Sequence, residues 1–267
     1  MKIIEFFGLP YSGKSYYANY CEKFFKNKNE IYDNKSIFFK YLLKKKKINY
    51  LYYSIILFRY ISLKKKSKEK NFTKTTKIII RNNNKKNFLY KEFFFLGREK
   101  YKLFRLSKKK NINFYESCVE LIKLETSFYR RKKLHRWLID ELNGYFLAKS
   151  NEISGLMILS ESFIQRIHSY FLSRDQLDVM AVKKYLNFMP DSDFIFYVKI
   201  DIEIIKERLR SNVSGKKEKF YFEHIENLDK KMKIIHKEIS VEREINTISK
   251  IDSLKEIITN QNFNYND

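Results

Sequence analysis

Cysteine, proline and glycine are scarce in this chain of 267 residues, which has two, two and six of them. Cys21 and Cys118 lie far apart and fit no metal or redox spacing, so they read as reduced thiols of the core or surface, a usage that favours the cytoplasm. Histidine is thin as well. His135, His168, His224 and His236 are too scattered to predict a metal site or a nucleophile–histidine pair. A membrane-spanning apolar run is also missing. Ile48 to Leu63 is the nearest approach, but it is interrupted by Arg59 and falls short of the roughly 20 residues that cross a bilayer. Its Tyr and Phe at helical spacing read as a buried helix packed on the core, whereas Lys44 to Lys47 before it and Lys64 to Lys66 after it are the flanks of an interfacial membrane helix. Peripheral membrane contact through residues 48–66 is the other reading. A strand at the very N-terminus leaves no room for a cleaved signal peptide, so the expected location is cytoplasmic, with membrane association confined to that segment.

Acidic residues are the minority charge. Lys and Arg number 55 against 31 Asp and Glu, a net charge of +24. Such a surplus ordinarily points to nucleic acid or an anionic membrane surface. Lys, Asn, Ile, Phe and Tyr are all abundant here, however, a bias that an AT-rich coding sequence produces without selection for a basic surface. Both origins stay open, and a nucleoside triphosphate is a third beneficiary of the positive field. The 44% hydrophobic content is ample for a buried centre and argues against disorder. The length suits one large α/β domain over 1–267 that carries an insertion.

Within this background stands Gly8-Leu9-Pro10-Tyr11-Ser12-Gly13-Lys14-Ser15, which fits G-x-x-x-x-G-K-[ST] at every fixed position. The spacing lets backbone N–H groups turn inward around phosphates while the lysine reaches their oxygens and the serine hydroxyl holds Mg²⁺. Gly8 and Gly13 permit the turn. The flanks agree, because Lys2 to Phe7 reads as a buried strand and Ser15 to Phe25 as a helix whose N-terminal dipole faces the phosphates. Gly8, Pro10, Tyr11, Ser12, Gly13, Lys14, Ser15 and Tyr16 are therefore the candidate nucleotide-binding residues, with ATP and Mg²⁺ the expected cofactors. An ordinary glycine-containing strand-to-helix turn is the plain alternative.

Downstream, Glu30 to Asn34 suggests a short second strand. Residues 35–115 alternate apolar clusters with lysine and asparagine runs and are expected to form a largely helical insertion or cap, with a strand at Lys77 to Arg81. Tyr115 to Lys149 carries apolar residues at three- and four-residue intervals, the period of one or two amphipathic helices. Gly155 to Ser160 and Asp193 to Ile200 are uninterrupted apolar runs of the kind buried in a parallel sheet. A helix from Asp201, a last strand at Glu244 to Ile248 and a closing helix at Ile251 to Asn260 complete the α/β order. The predicted fold class is α/β, a three-layer arrangement with a parallel sheet flanked by helices.

The phosphate-loop pattern, then a strand ending at Glu161 before Phe163-Ile164-Gln165-Arg166, then Tyr185 to Val198 with its Pro190-Asp191, then Glu207-Arg208-Leu209-Arg210, and last Ile245-Asn246-Thr247 before a terminal helix, follow one another in a telling order. Together they resemble the P-loop nucleoside and nucleotide kinase superfamily, thymidylate-kinase-like proteins most of all. The resemblance covers about residues 1–26 and 134–260 and leaves 35–115 aside. It implies a P-loop NTPase fold and transfer of the γ-phosphoryl group of ATP to a nucleoside, nucleotide or sugar-like acceptor. Related folds often pair through helices, which would make a homodimer.

The residues this assigns are few. Lys14 would neutralise the β/γ-phosphates, Ser15 would bind Mg²⁺, and Arg208 and Arg210 would act from a lid on the transferred group. Glu161 would either order the Mg²⁺ hydration shell or accept the proton of the attacking hydroxyl. Arg166 would bind an anionic group of the acceptor, its alternative being a structural salt bridge. Arg136, beside Trp137, would line the acceptor site unless it belongs to a solvated basic face. Two departures stand out. Ser160-Glu161-Ser162 replaces the Asp-Glu-Gly of many relatives, and lysines at 216, 217 and 219 stand where lid arginines are usual. A different class also fits the residues, a nucleotide-binding regulatory ATPase whose basic insertion binds nucleic acid or a membrane surface, for which steep salt dependence would speak.

Overall fold

Short apolar runs bounded by polar turns build the centre of the molecule. A computed structural model describes residues 1–26, 29–34, 36–45, 83–150, 152–161, 163–171, 177–211 and 216–260. The strands are β1 (Lys2–Gly8), β2 (Ile31–Tyr32), β3 (Leu156–Leu159), β4 (Phe194–Val198) and β5 (Asn246–Ile248). They lie in the order β2-β3-β1-β4-β5, and every pairing is parallel. The described helices are α1 (Lys14–Phe25), α2 (Ser36–Lys44), α3 (Asn83–Lys110), α4 (Ile112–Lys123), α5 (Phe128–Ala148), α6 (Phe163–Tyr170), α7 (Val179–Phe188), α8 (Ile202–Arg210), α9 (Lys216–Glu242) and α10 (Ile251–Asn260).

Because side chains alternate across a strand, β1 feeds both faces of the sheet. Ile4 and Phe6 pack with Tyr17, Cys21 and Phe25 of α1 and with Leu254 and Ile258 of α10. On the opposite face Phe7 joins a core built from α4, α5, α6, α7 and α9, and Ile3 joins α2, α3 and the end of α5. Helices thus cover both sides of the sheet, a three-layer α/β architecture of the kind that binds nucleotides. Cys21 and Cys118 are buried free thiols, and burial pushes the Cys21 thiol up to about 12. Neither is poised to react.

Local chemistry fixes the helix starts. Ser127 accepts from the Arg130 amide at the start of α5 (3.4 Å), Asp178 from Ala181 in α7 (3.0 Å) and Asp201 from Glu203 in α8 (2.8 Å). The Ser127 cap is what divides the periodic stretch before Lys149 into α4 and α5. The expected insertion is helical in its described parts, α2 and α3. Residues 46–82, with the apolar run from Ile48 and the strand expected at Lys77 to Arg81, lie outside the described residues. Among the described residues no helix is long and apolar enough to cross a membrane.

Candidate functional site

The chain leaves β1 toward β2 at one edge of the sheet and leaves β4 toward β5 at the other. The carboxyl ends of β1 and β4 therefore flank the point where the winding reverses, the place where open α/β sheets bind ligands. The loop from Gly8 to Ser15 occupies it. Gly8 pairs with Val198 of β4, and a Cβ on Gly8 would stand 2.6 Å from the Val198 carbonyl oxygen at φ +152°. Only glycine fits there. Gly13, at φ +95°, turns the chain into α1, so the positive end of that helix dipole points into the loop.

Lys14 is the central cation. Its side chain is folded under the loop at 7% exposure, with Nζ donating to the carbonyls of Leu9 (2.7 Å) and Gly8 (3.1 Å). Beside it the Ser12 hydroxyl is buried and lacks a hydrogen-bond partner. An unsatisfied buried hydroxyl costs about 1–3 kcal/mol, which an acceptor oxygen brought into the loop would recover. Ser15 and Tyr16 are exposed on the first turn of α1, and Pro10 is half-buried. The Gly8 amide is held from below, donating to Gln165 Oε1 of α6 at 3.1 Å. One turn on, His168 is buried with Nε2 unpartnered, and burial together with the charges of Lys14 and Lys231 pushes its pKa down to about 3. The imidazole is neutral at every ordinary pH.

From above, the loop is held at Tyr11, which adopts φ +64°, a conformation that costs a non-glycine residue energy. Three contacts hold it there. Arg208 Nη1 of α8 donates to the Tyr11 carbonyl (2.9 Å), the Tyr11 hydroxyl donates to Glu218 of α9 (2.7 Å), and the ring meets Tyr221 edge-on at 6.1 Å. Arg208 thus reaches the loop, its Nη1 standing 3.8 Å from where a Gly13 Cβ would be. Arg210 points elsewhere and rests over the Phe222 ring at 5.4 Å.

The acidic strand end forms a second cluster. Arg166 donates through Nε to the buried Glu141 (2.5 Å), meets Glu161 at 3.5 Å and lies over the Trp137 ring at 4.2 Å. Glu161 itself is 60% exposed. Arg166 is therefore both a structural ion pair and the neighbour of an accessible carboxylate. Arg136 is not brought to this cluster. It faces α3, where it lines a separate groove.

Two buried carboxylates escape a reading of the sequence. Burial drives Glu5 of β1 up to about 7, although it accepts from the Ile164 amide (2.8 Å) and the Ser192 hydroxyl (3.0 Å). Burial likewise drives Glu141 to about 7, against the lowering charge of Arg166. An acid inside Lys2–Gly8, an otherwise apolar strand, was the one sequence signal available for Glu5. Glu141 follows Trp137 by one helical turn and Leu138 by three residues, which places it on the inward stripe of α5. Gln165 and His168 gave no signal of their own.

No protein-family model matches the chain, and no curated protein matches its sequence. What the site can do is read from its own groups. The loop offers a lysine, a helix N-terminus and an orphaned hydroxyl to a polyanion. Among the described residues no group of three His, Cys, Asp or Glu side chains could hold a metal unaided. A divalent ion would rely on the exposed Ser15 hydroxyl, the Glu161 carboxylate through water, and oxygens of the polyanion, the manner in which Mg²⁺ commonly binds.

Proposed function

We propose that the chain is an ATP-dependent phosphotransferase that carries the γ-phosphoryl group to a small nucleoside, nucleotide or sugar-like acceptor. The observation that carries this reading is the Gly8–Ser15 loop at the winding reversal, with Lys14 tucked beneath it and the Ser12 hydroxyl unsatisfied. In this reading Lys14 exchanges the Gly8 and Leu9 carbonyls for phosphate oxygens, and Ser12 donates its hydroxyl to the same group. Ser15 would hold Mg²⁺, which would supply neutralising charge to the phosphates. Arg208, already against the loop, stabilises charge that grows on the transferred group. The acceptor oxygen bonds to the γ-phosphorus as the bridging bond to ADP breaks, and Glu161 is the exposed carboxylate that takes the acceptor proton or orders water on Mg²⁺.

Calorimetric titration with Mg·ATP and Mg·ADP, beside Lys14→Ala, tests the nucleotide half. An ADP-release screen over nucleosides, monophosphates and sugars tests the transfer. Lys14→Ala is expected to reduce turnover at least about 100-fold, the scale of losing one preorganised charge in such a site. Lys14-dependent binding with no acceptor-stimulated release would replace the transferase by a nucleotide-operated switch, and absent binding would remove both.

A further inference from the structure

Away from the phosphate loop, α3 and α5 diverge around a groove of about 620 Å³. That volume falls within the roughly 300–1,000 Å³ of pockets that bury small ligands. Gly97, Tyr101 and Phe104 of α3 face Phe128, Arg136 and Ile139 of α5 across it. The α5 residues recur at helical spacing, so one continuous stripe of that helix forms a wall. Three rings stand at its mouth with unusual exposure: Phe128 at 73%, Tyr129 at 76% and Tyr101 at 62%. No atom of the described residues approaches within 4 Å of where a Gly97 Cβ would be, so those residues leave the groove open at its α3 wall.

Its rim is cationic. Lys100, Lys132, Lys133 and Arg136 line it, Arg130 and Arg131 stand in the first turn of α5, and that turn contains no acid. Cations at a helix N-terminus oppose the helix dipole, a cost that an anion bound nearby would relieve. Arg130 is paired with Glu125, Lys100 with Asp140, and Lys133 rests over Trp137 at 4.6 Å. Lys132 and Arg136 have no ion-pair partner among the described residues, and they lie one helical turn apart beside the groove.

We propose that this groove binds a single amphiphilic anion, an alkyl or acyl chain ending in a phosphate or carboxylate. The chain lies between the two helices against Phe104, Ile139 and the mouth rings, and the head is held by Lys132 and Arg136. A short groove between two helices fits one chain better than the extended track of cations and stacked rings that a nucleic-acid strand follows.

Trp137 is the only tryptophan of the chain and adjoins the groove through Lys133, so its fluorescence reports occupancy in the full-length protein. Decyl, dodecyl and tetradecyl phosphate, each titrated below its micelle concentration, are expected to saturate one site. Affinity should rise roughly fourfold per methylene. Gly97→Leu puts a side chain into open space and improves local helix propensity. It should keep the thermal midpoint and weaken dodecyl phosphate at least about tenfold. Lys132→Glu with Arg136→Glu should weaken the alkyl phosphates while sparing a neutral dodecyl detergent. Chain-length independence, indifference to Gly97→Leu, binding only to anionic vesicles, or tighter binding of an oligothymidylate that competes with the alkyl phosphates would each overturn the proposal.

Discussion

Glu5 is a carboxylate held wholly inside the sheet, and its pKa of about 7 makes it a liability at neutral pH. Unfolded, the same group ionises near 4.5. Between those values the native state holds the proton and the unfolded state does not, so stability falls as pH rises from about 4.5 to about 7. The displacement corresponds to at most about 3.5 kcal/mol. Glu5→Gln keeps an oxygen for the Ile164 amide, removes the buried charge, and is expected to raise the urea midpoint at pH 7.5 and flatten its pH profile between 5 and 7. An unchanged profile would mean that Glu5 is charged and compensated. Gly8→Ala acts in the opposite direction. Its methyl would meet the Val198 carbonyl at 2.6 Å in a conformation closed to L residues, and a loss of about 1–3 kcal/mol by denaturant melting is expected together with loss of nucleotide binding.

Three helices hold the Gly8–Ser15 loop, α6 through Gln165 to the Gly8 amide, α8 through Arg208 to the Tyr11 carbonyl and α9 through Glu218 to the Tyr11 hydroxyl. The α9 contact is a side-chain bond at the first described turn of a long helix whose later turns are buried through Ile225, Leu228, Met232 and Ile235. Glu218→Ala should therefore free the beginning of α9 and leave its centre alone. Amide exchange over residues 218–224 is expected to quicken at least several-fold with the global melting midpoint unchanged. Uniform acceleration along α9 would show that the contact anchors the whole helix. How far such elements were legible depends on how local their causes are. The strands and α1 could be read because an apolar run and a glycine turn are written in adjacent residues. The resemblance placed Arg208 on a lid, and its bond to the Tyr11 carbonyl joins residues 197 apart, which adjacent residues do not record. Arg136 could not be separated from Trp137, since only the packing of α3 decides which face of α5 turns to the groove. The pairings Glu141–Arg166 and Gln165–Gly8 join residues 25 and 157 apart, a distance over which periodicity carries no information.

At the scale of the whole molecule the surplus of +24 acts on stability through self-repulsion. Exposed pairs such as Lys184–Glu120 (2.6 Å) and Lys40–Glu30 (2.7 Å) offset little of it, because solvent-exposed ion pairs each contribute about 0–1 kcal/mol. The screening distance shrinks from about 30 Å at 0.01 M salt to about 8 Å at 0.15 M, so like charges across the molecule stop sensing one another while the close pairs survive. The thermal midpoint is therefore expected to rise over that range, by about 2–4 °C for each kcal/mol of repulsion removed. Generic screening gives the same rise with sodium chloride and potassium acetate, in the native chain and in Lys14→Ala alike. Stabilisation by a specific anion at the loop would instead require millimolar pyrophosphate, persist at high salt and disappear in Lys14→Ala. A midpoint that falls as salt is added would mean that the surface pairs outweigh the surplus, and the basic composition would then be a network of attractions in place of a net repulsion.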